Sequence, residues 1–475
     1  MTPTIIHRLA EFATETTVDD LPGVVIEQSK RILLDSLGCA VASIGERGAD
    51  IAIRYGKILG GTTGGASILG TGERSSEIGA AFVNAELINA LDQDPVLPPG
   101  HVTPYVLPGA LAAAEAAHVT GAQLLSAIAV AHEMSYRLGK ATDYLRDITD
   151  GVVTAPSVIG YGTTIFGATA AIGMVKEHPA DIVANALGVA GTTVQVNSQR
   201  SWMKHAPPTT IKYQLAGGMA QCAMTAAHLA EFGHRGDTMI LDDPEFGFPR
   251  YIGTTRWVPE PILDRIGEEW RFPAEQSFKP YPHCRILHAL LDGLHRIVEE
   301  NNISPDEIDS ITAWGESFVL QPLWLNTTIE DVRDAQFSIT HGLAVGAHRI
   351  TPGKQWQDPS VVFSPSVTRL MNKVTYEPHP GYTASLSENP AARRSRIEVA
   401  ARGTSWTVEQ LFPKGSPSPD PDSYMTDDEL VAKFRHNIDG VIARDDADAV
   451  VEAVFDLEQV VDVASICRRL VPSRR

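Results

Sequence analysis

Six stretches in the first 235 residues are dominated by alanine, glycine and aliphatic side chains: AAFVNAELINAL (80–91), LPGALAAAEAAHV (107–119), AQLLSAIAVAHEMSYRLGKA (122–141), FGATAAIGMVK (166–176), ADIVANALGVAGTT (180–193) and LAGGMAQCAMTAAHLAEFG (215–233). Small side chains let helix axes approach closely, so these segments predict helices packed on one another rather than isolated surface helices. Thr120 and Gln123 supply a capping box for the third of them. Upstream, VVIEQSKRILLDSLGCAVAS from residue 24 places Val25, Ser29, Ile32, Leu33, Ser36, Leu37 and Ala40 at the three-and-four spacing of a helix with one buried face. Residues 1–265 therefore read as one large helical domain.

Past residue 265 the texture changes. IDSITAW (308–314) alternates with period two, and SRIEVAARGTSWTVEQL (395–411) reads as two strands joined at Arg402-Gly403-Thr404. Helical patterns at 286–302 and 341–349 interleave with these strands, which predicts a smaller mixed domain after about residue 265. FPKGSPSPDPDSYM (412–425) is a proline- and serine-rich linker or strap, and helical spacing returns after it. The 405–475 segment is expected to rejoin the first domain. The fold class expected is mainly α, with a smaller mixed α/β domain. GGTTGG (60–65) has no lysine to make a phosphate cradle and reads as a turn.

With 475 residues, 43% apolar and 20% charged, the chain can bury a sizeable core. A formal charge of -19 argues against nucleic acid or an anionic membrane surface as partner. No run of about 18 apolar residues is present to span a bilayer, and the acidic start lacks the pattern of a secretory signal; a cytoplasmic protein is expected. The four cysteines, Cys39, Cys222, Cys284 and Cys467, are widely spaced, and no HExxH or GxSxG occurs. A zinc site has little support in these spacings, and nucleophilic acyl transfer has no motif to support it.

Chemistry concentrates in three places. LDQDPVLPPGHVTPYVLPGAL (91–111) carries Asp92, Asp94 and His101 where prolines prevent a helix, between two apolar helices. A carboxylate beside an imidazole suits a general acid or base near neutral pH, although the same acids could be helix caps. SFKPYPHCRILH (277–288) crowds Lys279, His283, Cys284, Arg285 and His288 before a helix, where cations could receive a carboxylate. QRSWMKHAPPTTIKYQLAGG (199–218) brings Arg200, Lys204, His205 and Lys212 to the start of a small-residue helix. A desolvated lysine there can hold an anion or act as a base.

Taken in order, these stretches resemble the MmgE/PrpD family, which includes 2-methylcitrate dehydratases, cis-aconitate decarboxylase and an iminodisuccinate epimerase. AAFVNAELINALDQD looks like the family's LDxDD helix; HVTPYVLPGALAAAEA is similar to HPSxxVLPAxLAxAE; KPYPHCRILHALLDGL is similar to KPYPxCRxxHxxxDA. RILLDSLGCAVAS, AQFSITHGLAVG and FPKGSPSPDPDSYMTDDELVAKFR resemble its other signatures. The resemblance implies a large helical domain built from the N- and C-terminal parts, a smaller α/β lid domain over 266–404, a homodimer, a site for a di- or tricarboxylate between the domains, and no metal or organic cofactor. It places His101, Asp92 and Lys212 in catalytic positions, and Lys279, His283, Cys284, Arg285, Asp94, Lys204 and His341 around the substrate. Dehydration is the activity expected from it, with decarboxylation, epimerisation or metabolite binding without turnover as alternatives. The chain departs from the pattern at Pro95, where a further acid is usual, and in PVLPPG, which lacks the usual threonine and histidine. It departs again at Ala155, where the family often has histidine, and at His341, where it often has tyrosine.

Overall fold

The computed structural model describes residues 3–142, 146–154, 160–196 and 199–473. The alanine- and glycine-rich segments form the helices Glu77–Ala90, Thr103–Ala117, Gly121–Ala141, Thr164–Val175, Ala180–Thr193 and Ala216–Glu231. They pack against one another as a layer of near neighbours. Close approach is why so many positions are small: a Cβ added at Gly167 would lie 2.4 Å from the Ala131 carbonyl oxygen of the neighbouring helix. The Thr120–Gln123 capping box is present at the start of Gly121–Ala141.

The helix expected from residue 107 begins earlier, at Thr103, and carries Pro108 inside it. Pro104 occupies the first turn, where a missing N–H is not missed, and Pro108 forfeits one hydrogen bond in a helix otherwise buried on all sides.

The second part holds a four-stranded mixed sheet. Ile308–Gly315 runs parallel to Val374–Pro378 and antiparallel to Ser395–Ala401, which pairs in turn with Thr404–Gln410. The hairpin at 402–403 closes in the expected register, Ala401 opposite Thr404. Ile311, Ala313 and Gly315 alternate onto the buried face, and a register shift between Ile308 and Ser310 lets Ile308 join them. The His288–Glu300 helix covers the two hairpin strands, Gly293 lying against Ile397 and Val408.

The strap at 412–425 is packed rather than loose. Gly415 accepts a hydrogen bond from the Phe278 N–H at 2.9 Å, and Phe412 and Ser416 are buried. Beyond it the Asp427–Ile438 helix lies against Gly23–Ala42, where Lys433 pairs with Asp35 at 2.6 Å and Arg31 meets Asp427 and the Met425 carbonyl. The architecture is mainly α with a smaller α/β portion. Among the described residues, no helix is long and apolar enough to cross a membrane.

Candidate active site

The Glu77–Ala90 helix ends where the chain turns at Asp92, whose φ of 56° lies in the left-handed region. The irregular stretch that follows is fastened to the 277–285 motif: Val96 and Ser277 exchange both backbone hydrogen bonds at 2.9 Å. A loop from the first third of the chain and a motif from its middle are thereby held as two short edges of one structure.

Around that joint the charged side chains converge. Lys279 donates to the Asp92 carboxylate at 2.7 Å and also to the Asp92 backbone carbonyl. Lys212 reaches the other Asp92 oxygen at 3.4 Å and donates to the Asn89 carbonyl that ends the preceding helix. Tyr213 donates its hydroxyl to the same oxygen at 2.8 Å. The imidazole of His101 sits beside them, Nδ1 2.7 Å from Asp94 and Nε2 3.6 Å from Asp92. Its ring stacks on Tyr213, with centroids 4.5 Å apart and planes 20° from parallel. Asn89 completes the set by donating to Asp94 at 3.3 Å.

The carboxylate that orients the histidine is therefore Asp94, not Asp92. A backbone turn explains the exchange: positive φ at Asp92 turns its side chain toward the two lysines, leaving the residue two places on to meet Nδ1. Burial alone would push the Asp92 carboxyl up, but Lys279, Lys212 and His101 reverse this and hold it well below the usual carboxylate range. For Lys212 burial dominates and lowers the ammonium below its ordinary value, against the pull of Asp92 and Asp94. Asp92, Asp94 and Lys279 are at most 1% exposed, whereas His101 keeps 9%, so the imidazole is the most accessible of these four groups. Donor atoms of Asp92, Asp94 and His101 lie within 4.8 Å of one another. With ammonium groups already on both Asp92 oxygens, the set suits proton handling better than a divalent cation.

The remaining candidates from the sequence make other contacts. His283 is buried and hydrogen-bonded to the Ser338 carbonyl at 3.2 Å, and burial presses its ring down to about 4, so it is a neutral imidazole. Cys284 is free and partly exposed, its thiol pushed up by burial and by Asp92, which makes it a poor thiolate. Arg285 donates to Ser416 in the strap. His341 spends Nε2 on the Val362 carbonyl at 3.1 Å. Lys204 is exposed beyond the short Gln199–Met203 helix, and no contact among the described residues ties it to Asp92. Ala155 lies outside the described residues. Tyr213, Asn89 and Gln93 were not singled out from sequence. A tyrosine next to Lys212 and an asparagine inside an apolar helix were the available signals.

Gly100 precedes His101 with φ 156°, and a Cβ there would fall 2.3 Å from the Tyr161 hydroxyl. Gly100→Ala is expected to push the Tyr161 ring aside and lower stability by about 1–3 kcal/mol, the usual cost of overpacking. A urea unfolding midpoint measures it.

The helical scaffold thus mounts a carboxylate–imidazole pair beside two buried lysines. The MmgE/PrpD N-terminal domain matches residues 7–258 and the MmgE/PrpD C-terminal domain residues 281–458. The chain belongs to the MmgE/PrpD family. It is 25% identical over 473 residues to cis-aconitate decarboxylase of Mus musculus, covering 95% of this chain and 90% of that one. It is 24% identical over 463 residues to cis-aconitate decarboxylase of Homo sapiens, covering 94% and 90%. A cis-aconitate decarboxylase-like protein oryM of Aspergillus oryzae is 23% identical over 498 residues, covering 97% and 96%. Membership and these relatives support lyase action at the level of the family.

Proposed function

We propose that this chain is a lyase that uses no bound metal and acts on a di- or tricarboxylate by moving a proton at a carbon next to a carboxylate, with decarboxylation of a cis-aconitate-like acid as its foremost reaction. The observation that carries this reading is the convergence of His101, Asp94, Asp92, Lys212 and Lys279 at one buried joint. Decarboxylation moves ahead of the dehydration expected from sequence because the relatives that match along nearly the whole chain are named as decarboxylases.

In this mechanism the bond to the departing carboxylate breaks and CO2 leaves. The electron pair passes into the adjoining unsaturated carboxylate system, where Lys212 and Lys279 stabilise the developing negative charge. His101, oriented by Asp94 at Nδ1, delivers one proton to carbon, so one carboxylate is replaced by one hydrogen. Asp92 keeps the two ammonium groups in place.

A second reading has its own support. Because burial lowers Lys212, that amine is closer to accepting a proton than an ordinary lysine. With a β-hydroxyl on the substrate, Lys212 as base and His101 as acid would give dehydration; with no leaving group the same pair would give epimerisation.

One experiment separates these readings. The protein is incubated in deuterated water with cis-aconitate and with hydroxylated and saturated di- and tricarboxylates. CO2 release with one deuterium retained on carbon is the expected outcome. Water loss without CO2 would favour dehydration. Binding without any exchange would remove catalysis from the proposal.

A further inference from the structure

We infer that Lys433, on the Asp427–Ile438 helix, is a positioning residue that sets the distance between Asp94 and His101 by fixing the Gln93 carbonyl. The inference rests on His101 being the proton donor proposed above. Lys433 is 8% exposed and its ammonium makes two contacts, the ion pair with Asp35 at 2.6 Å and a hydrogen bond to the Gln93 carbonyl at 2.8 Å. Gln93 is itself fully buried, stands between the two acids of the site, and donates through Nε2 to the Pro280 carbonyl at 2.9 Å, next to Lys279.

The carbonyl of Gln93 shares a peptide plane with the Asp94 N–H. Fixing that oxygen fixes the plane, and with it the direction in which the Asp94 side chain leaves the backbone. Asp94 must then place one oxygen 2.7 Å from His101 Nδ1. The 92–102 stretch has no helix or strand ladder of its own, so an external anchor has more to do there than it would inside a helix.

Stability alone is a weak reason for this lysine. A buried ion pair between two helices can often be replaced by apolar side chains at little cost. Gly23–Ala42 and Asp427–Ile438 already meet through apolar contacts, Gly38 lying against Phe434. An apolar side chain at 433 could fill the seam but could not donate to the Gln93 oxygen. Asp35, 1% exposed, compensates the charge that this donor brings inside.

Three variants of the full chain test the assignment: Lys433→Met, Asp35→Asn, and the two together. Melting temperature, KM, kcat per folded molecule on cis-aconitate, and the His101 Nδ1–H signal in spectra of ¹⁵N-histidine-labelled protein are measured. Lys433→Met and the double variant are expected to lose about 10²-fold in kcat, the scale of a misplacement near 1 Å, with KM within about threefold. Their Nδ1–H signal is expected to move upfield as the bond to Asp94 loosens. The double variant, free of an unpaired buried charge, should melt near wild type. Asp35→Asn keeps a donor on the Gln93 carbonyl and should retain kcat within about threefold.

Wild-type kcat and an unmoved His101 signal in the double variant would overturn the assignment. So would an equal kcat loss in Asp35→Asn, because the loss would then follow the ion pair. If the wild-type protein released no CO2 from cis-aconitate, the proposed reaction would fail instead, and the His101 signal, which needs no substrate, would still decide the role of Lys433.

Discussion

Replacing His101 by alanine is expected to lower turnover, measured as kcat per folded molecule, by about 10²–10⁴-fold. The imidazole is the most accessible member of the charged cluster, it touches carboxylates on both sides, and its ring rests on Tyr213. Removing it leaves Asp92 with two lysines and a tyrosine, but leaves the fully buried Asp94 with only the Asn89 amide at 3.3 Å, so some stability is lost as well. A drop in kcat with little change in KM is the signature of a group that acts on the transition state rather than on binding. His101→Ala retaining more than about a tenth of wild-type turnover would remove the histidine from the mechanism.

His101→Gln sharpens the same experiment. Its amide can occupy the space beside Asp94 but cannot carry a proton at neutral pH. Equal losses in the two variants point to the proton rather than to the shape of the ring.

The helices were legible because small residues recur over long windows, and the hairpin at 395–410 because alternation and Arg402-Gly403 coincide. Asp92, His101, Lys212 and Lys279 were nameable because their segments are unusual: charge among prolines, or cations at the foot of an apolar helix. Which carboxylate meets the imidazole was not legible. That depends on one positive φ at Asp92, and the residue type permits it without requiring it. His341 and His283 were unreadable for a different reason. A histidine that gives one ring nitrogen to a backbone carbonyl looks, in sequence, like any other, so the Val362 and Ser338 contacts could not be foreseen. Lys433 escaped notice because it sits on an ordinary amphipathic helix, 340 residues from the Gln93 carbonyl it holds.

Lys279→Met is expected to be the most damaging single change for the site as a whole. It removes the donor to both the carboxylate and the backbone carbonyl of Asp92, at a position 1% exposed. Breaking one side of a buried pair costs about 3–5 kcal/mol, and here Asp92 keeps its charge with only the hydrogen bonds of Lys212 at 3.4 Å and the Tyr213 hydroxyl to meet it. Loss of a cation facing developing negative charge costs about 10²–10³-fold in turnover besides. Stability and activity separate in the double variant Lys279→Met/Asp92→Asn, which should regain much of the melting temperature and none of the rate. The pH dependence tests the same pair from the other side. Asp92 has a folded-state pKa depressed below its unfolded value, so its contribution to stability is fully present above about pH 4 and is lost as pH falls below that toward the folded value. Wild-type stability, followed by urea unfolding from pH 6 to pH 3, should therefore fall more steeply at the acid end than that of Asp92→Asn, by up to about 1.4 kcal/mol per pH unit for the one proton involved. Parallel curves for the two proteins would mean that Asp92 binds its proton equally well folded and unfolded, and that the lysines around it do not hold its charge.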